Sequence, residues 1–293
     1  MTLQRFTLLP QPSAAEADIL HELPPDPADY PVEVYSVARM AQGGRWRTEA
    51  MRSYDRPVLV WFTRGQGRLT VAGRSLGYGP HNMVFLPAQT MHGFTTTGPV
   101  LGSVVFLPRD EGYDWLAEPT HLRLHEVQLQ RELTGLIDNM QSEISSGASQ
   151  VSRALGYHAG LLSVWLSRTT ELYRNAPAHP ENSGVDSAAH RLAEAYTSLV
   201  ERDFHRPDGV QHYASLLGVT PTHLSRVCRK VSGRPALDIL TDRRHFEAKK
   251  LLQDTRIQIA RVATQCGFAS AAYFTRAFRA RTGQSPSEFR ANR

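Results

Sequence analysis

The sequence predicts an α+β protein: a small antiparallel β barrel or sandwich, an appended pair of helices, and an all-α last third. Three observations predict it. Between Val32 and Leu107, short β-branched and aromatic runs alternate with Gly and Pro clusters. From Leu129 to Tyr173 the apolar residues recur at helical spacing. Beyond Ser187 the chain is basic and contains an internal repeat of about 50 residues.

The 293 residues suffice for two ordinary domains, and a hydrophobic share of 41% is normal for a globular chain. No apolar run reaches membrane-spanning length. The opening MTLQRFTLLPQPSAAEADIL lacks a basic segment followed by an apolar core, so no secretory signal is expected. Only two cysteines occur, Cys228 and Cys266, which fits a reduced cytoplasm and excludes a disulfide framework. Charge is uneven. From Ser187 onward there are 18 Lys+Arg against 9 Asp+Glu, and the rest of the chain holds 15 against 19. A basic module joined to a mildly acidic one points to a polyanion as partner of the basic module alone.

The β region, expected over residues 1–127, carries the runs VEVYSVARM, VLVWFT, RLTVAG, NMVFLP and VLGSVVFL. Their close spacing argues for a barrel or sandwich. Residues 128–174 read as two helices. The first carries Leu129, Leu133, Leu136, Ile137, Met140 and Ile144; the second Leu155, Leu161, Leu162, Trp165, Leu166, Leu172 and Tyr173. Such stripes either cover the barrel or form a dimer seam. Residues 175–187, NAPAHPENSGVDS, read as a linker, with Asp186 or Ser187 as N-cap of the next helix. Residues 188–293 read as helical throughout.

The repeat aligns VQHYASLLGVTPTHLSRVCRKVSGRP with IARVATQCGFASAAYFTRAFRARTGQSP. Each copy has a small residue in a short first helix (Ala214, Ala263), a glycine at the turn (Gly218, Gly267), and a second helix ending near Gly233 or Gly283. The alanine permits a close helix crossing, and the glycine supplies the left-handed turn, which together define a helix-turn-helix. In the second helix of the first copy, Leu224, Val227, Cys228 and Val231 form the core face. Thr222, Ser225, Arg226, Arg229 and Lys230 then point outward. In the second copy Phe274, Ala277 and Phe278, helped by Tyr273, form the core. Ser270, Ala271, Ala272, Thr275, Arg276 and Arg279 point outward. Outward arginines at matching positions suit guanine or phosphate in a major groove of double-stranded DNA. Between the copies, ALDILTDRRHFEAKKLLQD reads as an amphipathic helix with Ile239, Leu240, Phe246, Leu251 and Leu252 inward.

The stretch IARVATQCGFASAAYFTRAFRARTGQSPSEFR resembles the AraC/XylS family of bacterial transcription regulators. The family pattern falls on Ile259-Ala260 (or Val262-Ala263), Gly267-Phe268, Ser270, Tyr273-Phe274, Phe278, Gly283, Pro286 and Arg290. The resemblance implies a seven-helix DNA-binding domain, with base contacts from Thr222, Ser225, Arg226, Ala271, Ala272 and Arg276. It also implies a regulatory domain sensing a small molecule. RNA polymerase is expected as a partner, and the helix pair leaves a homodimer open. GRLTVAGRSLGYGPHNMVFLPAQTMHGF resembles the cupin-like sensor domain of the same family. Some members of the family sense aromatic carboxylates. Strand alternation puts Arg45, Arg47, Trp61, Phe85 and His92 near the expected effector.

Metal-binding cupins carry an early His-x-His, whereas the corresponding RTEAMRSYDRP has no histidine. His92 is therefore read as a pocket or structural residue, and no metal or cofactor is expected. His121 and His125 are read as surface residues. A cupin enzyme with a DNA tether and a non-specific nucleoid protein are the rival readings. The missing His-x-His and the lack of an acid–base pair weigh against the enzyme.

Overall fold

The structure is a computed structural model and describes residues 30–40, 46–109, 112–175 and 188–291. Arg45 and most of the expected linker, with Asp186 and Ser187, lie outside the described residues, as does the side chain of Arg47.

The first half builds two antiparallel sheets. The strands are β1 (Glu33–Ser36), β2 (Val58–Arg64), β3 (Gly67–Val71), β4 (Arg74–Tyr78), β5 (Asn82–Leu86), β6 (His92–Thr96), β7 (Leu101–Phe106) and β8 (Thr120–Arg123). Short helices α1 (Val37–Met40) and α2 (Trp46–Glu49) follow β1. One sheet has the order β1-β7-β2-β5-β8 and the other β4-β3-β6. Alternation divides each central strand between two cores. Val58, Val60 and Phe62 meet Leu69, Val71, Tyr78 and Phe94 of the smaller sheet. Leu59, Trp61, Met83, Phe85 and Val105 point the other way, onto α3 (Val127–Ser146) and α4 (Val151–Asn175). Leu133, Ile137, Met140, Leu155, Ala159, Leu162 and Leu166 close that side. The larger sheet is thus buried on both faces, which is why VLVWF and NMVFL are apolar without alternation. Of the two expected stripes, Leu133, Ile137, Met140, Leu155, Leu162 and Leu166 are buried against the sheet, with Leu129, Leu136, Ile144, Trp165 and Tyr173 packed beside them, whereas Leu161 and Leu172 are exposed on the outer face of α4.

The last third is α5 (Ala188–Asp203), α6 (Val210–Leu216), α7 (Pro221–Ser232), α8 (Ala236–Asp254), α9 (Ile259–Gln265), α10 (Ala271–Thr282) and α11 (Pro286–Ala291). These seven helices surround two cores. Tyr196, Tyr213, Ala214, Leu224, Cys228, Ile239 and Leu240 fill the first. Ala248, Leu252, Val262, Ala263, Phe274 and Phe278 fill the second. Tyr273, expected to help the second core, is instead 53% exposed. His121, expected on the surface, lies half-buried in β8, with Nε2 2.6 Å from Asn82 Oδ1.

The β part docks on the first helical unit. Met51 and Met91 are buried in the first core. Gly73 lies against Ala193, Tyr54 packs edge-on to Phe246, and Arg234 donates to the Glu49 carbonyl at 2.9 Å. Among the described residues, the second core contains no buried residue of the β part.

Two glycines make the helix-turn-helix turns, Gly218 at φ 67° and Gly267 at φ 71°. A Cβ at Gly218 would meet nothing, whereas at Gly267 it would lie 2.3 Å from the Phe204 carbonyl oxygen. Gly218→Ala should therefore cost only the left-handed strain, about 1–2 kcal/mol. Gly267→Ala should cost more, because backbone must move. Urea unfolding of the two variants checks this ordering; equal losses would contradict it.

Candidate nucleic-acid interface

The two recognition helices are built alike. Thr220 and Ser270 cap α7 and α10, their hydroxyls accepting from the backbone N–H of His223 and Tyr273, both at 3.2 Å. Both helices end in a left-handed glycine, Gly233 and Gly283. The helices therefore align residue for residue, 50 positions apart. Leu224 and Phe274, then Cys228 and Phe278, are wholly buried at matching places. Arg226 and Arg276, and Arg229 and Arg279, are exposed at matching places.

The remaining expected contact residues divide. Thr222, Lys230, Ser270 and Ala272 are exposed. Ser225 is half-buried, and its hydroxyl accepts from the Ala236 N–H at 3.2 Å, so it ties α7 to the start of α8. Thr275 turns back to donate to the Ala271 carbonyl at 2.9 Å, and Ala271 packs against the second core. Arg226 donates to His223 Nδ1 at 3.1 Å. In the repeat register Tyr273 stands where His223 stands, so both units present a ring in their first turn. That register was the signal that could have placed Tyr273 outward.

Among the described residues, the expected effector contacts are not gathered in one place. Trp61 and Phe85 lie under the helix pair; Trp61 Nε1 donates to Thr134 Oγ1 at 3.2 Å, and Phe85 stacks with Trp115. His92 lies elsewhere, buried at the edge of the smaller sheet, with Arg52 and Tyr54 beside it. Its Nδ1–H donates to the Thr90 carbonyl at 2.8 Å. Arg52 is also buried and donates to the Thr48 carbonyl at 2.6 Å and to the Tyr54 hydroxyl at 3.1 Å. Among the described residues no three His, Cys, Asp or Glu side chains converge as a metal site.

A cleft of about 660 Å³ does open at the mouth of the sandwich, between edge strands β4 and β8, the end of α4 and the start of α5. Arg74, His121, Arg174, His190 and Arg191 line it with Glu118, Glu194 and Tyr173 over an apolar floor that includes Val71 and Val84. The hydroxyls of Ser75 and Thr170, also lining residues, have no hydrogen-bond partner.

Residues 213–292 match the family described as Helix-turn-helix domain. The arabinose operon regulatory protein of Escherichia coli is 28% identical over 84% of this chain and 82% of its own. The chain is homologous to the AraC-type transcription regulators. The transcriptional activator RhaR of Escherichia coli is 24% identical over 80% of this chain and 83% of its own. Among solved structures, the C-terminal domain of AraT, a response regulator from Geobacillus stearothermophilus, is 29% identical. It covers 36% of this chain and 87% of its own, with a TM-score of 0.34. Both Escherichia coli relatives are regulators, and DNA-binding transcription regulation is the function the homology carries. Among the described residues no helix is long and apolar enough to cross a membrane.

The setting of His92 has a pH consequence. Burial first, then the charge of Arg52, push its pKa down from 6.5 to about 3, against the opposing bond to Thr90 and with a smaller push from Arg243. Below pH 6.5 the unfolded imidazole takes up a proton that the folded one refuses until about 3. The stability it contributes is whole above pH 6.5 and is lost as pH falls from there towards 3. Urea unfolding at pH 6 and pH 4 should show the wild type losing up to about 1.4 kcal/mol per pH unit more than His92→Gln. Parallel pH profiles would contradict the assignment.

Proposed function

We propose that the protein regulates transcription by placing α7 and α10 in successive major grooves on one face of DNA, under control of a small molecule bound by the β part. The observation that carries the DNA reading is the repeat itself: two identically capped helices with Arg226/Arg276 and Arg229/Arg279 exposed at matching positions. A helix pair serving one duplex must space its readers by about one turn, ~34 Å. Thr222, Arg226, Arg229 and Lys230 read or clamp the first half-site; Ser270, Ala272, Arg276 and Arg279 take the second, where Ala272 suits a thymine methyl. The test is binding to an operator selected by the protein from random duplexes. Arg226→Ala should cost about 1–3 kcal/mol on that operator and relax one base position. Arg276→Ala should relax a position about one helical turn away. Losses that are equal on every sequence would assign these arginines to phosphate instead.

The cleft between β4, β8 and α5 supports an effector site at the joint between the β part and the DNA-binding part. Its guanidinium groups suit an anionic group, and Tyr173 with the apolar floor suits a ring, so an aromatic carboxylate fits its chemistry. An occupant touching α5 would bias how the DNA-binding part is held. Screening carboxylates by thermal unfolding should find one that raises the melting temperature of the wild type, with the shift lost in Arg191→Ala. A shift that survives in Arg191→Ala but not in a Trp61 variant would return the site to the space beneath the helix pair.

The outer face of α4 exposes Tyr157, Leu161, Val164 and Leu172. Its inner face is already spent on the sheet, so this stripe supports a homodimer. A twofold axis near Val164 sets Tyr157 of one copy against Leu172 of the other. RNA polymerase is the expected macromolecular partner, and the bacterial cytoplasm the expected location.

A further inference from the structure

Helix α8 carries a carboxylate where a core side chain would be expected. Asp242 is 1% exposed. Two arginines grip it, and they come from different helix-turn-helix units. Arg234 follows the C-cap of α7, and Arg281 stands in the last turn of α10. Each carboxylate oxygen faces one of them: Oδ2 accepts a hydrogen bond from Arg234, and Oδ1 is ion-paired with Arg281 without a directed hydrogen bond. Asp238, one turn earlier on α8, adds attraction for Arg281. Arg234 uses its other amino group on the Glu49 carbonyl of the β part, at 2.9 Å.

The placement matters because the units have separate cores, joined along α8. Each core packs one recognition helix against α8. The charged contact adds a direct tie, because it joins the C-terminal end of each recognition helix to one buried point.

We propose that Asp242, gripped by Arg234 and Arg281, is a spacing determinant: it fixes the separation of the two recognition helices and so selects the distance between the two halves of the DNA site. It touches no base. It is a positioning residue acting through α7 and α10. Because Arg234 also holds Glu49, the β part is attached to the same point, and a shift there is transmitted to both readers. The inference rests on the two-groove reading above.

The test uses the full chain and the selected operator, with variants of that duplex carrying 1 to 4 inserted base pairs between the halves, and with each half alone. The wild type should lose about tenfold or more in affinity on insertion of a few base pairs, since the linked second contact is then lost. Arg281→Ala, which removes a partly exposed side chain, should bind the uninterrupted operator several-fold more weakly, about as tightly as the operator with insertions. Its affinity for each half alone should be unchanged. Arg281→Lys should restore much of the spacing preference; Asp242→Asn should behave as Arg281→Ala, and if it does not fold the arginine variants decide alone. An undiminished insertion penalty in Arg281→Ala, or an equal loss on single halves, overturns the proposal. Wild type that is indifferent to spacing from the outset overturns the two-groove reading instead.

Discussion

One helix has to serve two cores. α8 runs for 19 residues, about 28 Å at the rise of an α-helix. Its first half gives Ala236, Ile239 and Leu240 to the first unit, and its second half gives Ala248 and Leu252 to the second. A helix used this way is covered nearly all round, so its polar residues are covered too. Asp242, Arg243, His245 and Lys249 are all buried. A buried charge is tolerated only when it is paired. Arg243 binds Glu201 of α5 at 2.6 Å and Glu247 at 2.8 Å, and its guanidinium lies 3.9 Å from the centre of the Phe204 ring. The helix that separates the readers is therefore also the site where charge must be most closely matched.

The β part answers a related constraint. A sheet with two apolar faces needs two covers. The smaller sheet supplies one and the α3–α4 pair the other. An edge between β4 and β8 stays open, and one cleft opens there against α5. The interior is filled by Phe62, Tyr78 and Phe94, with the Phe62 and Tyr78 rings stacked at 4.0 Å. A sandwich so filled moves its space to its mouth, beside the helices that a ligand would have to influence.

The helical third was legible in the sequence because a repeat doubles every signal. Glycine, cap and core positions each occur twice, and register alone pairs Arg226 with Arg276. The buried charges of α8 were not legible. Hydropathy spacing correctly put Ile239, Leu240, Phe246 and Leu252 inward, but it assigns every Asp and Arg to solvent, and nothing local marks Asp242 as enclosed by Arg234 and Arg281. The strands were legible as strands but not as layers. Alternation tells that Trp61 and Val60 face opposite sides; it cannot tell which side holds helices, so it groups Trp61 and Phe85 with His92 although they lie under the helix pair and His92 lies at the edge of the smaller sheet. Four-residue β8 was too short to announce itself, and His121 went with it.

The two readers are alike in frame and unlike in chemistry. In α10 the first turn offers alanines, Ala271 is packed inward and Thr275 is bonded to its own helix, which leaves Tyr273, Arg276 and Arg279 as the prominent exposed groups. In α7 the exposed set is richer, with Thr222, Arg226, Arg229 and Lys230. Among the described residues, Met51 and Met91 of the β part are buried in the core of the first unit and none in that of the second. A reader with fewer base-discriminating groups gains most from being delivered to a fixed place, because its contacts then need only be favourable at one position rather than selective among all. On the proposed two-groove reading, the asymmetry in side chains and the asymmetry in docking have one physical consequence: the first unit, held by the β part, would choose the site, and the second would be delivered to it by α8 and the ion pairs of Asp242.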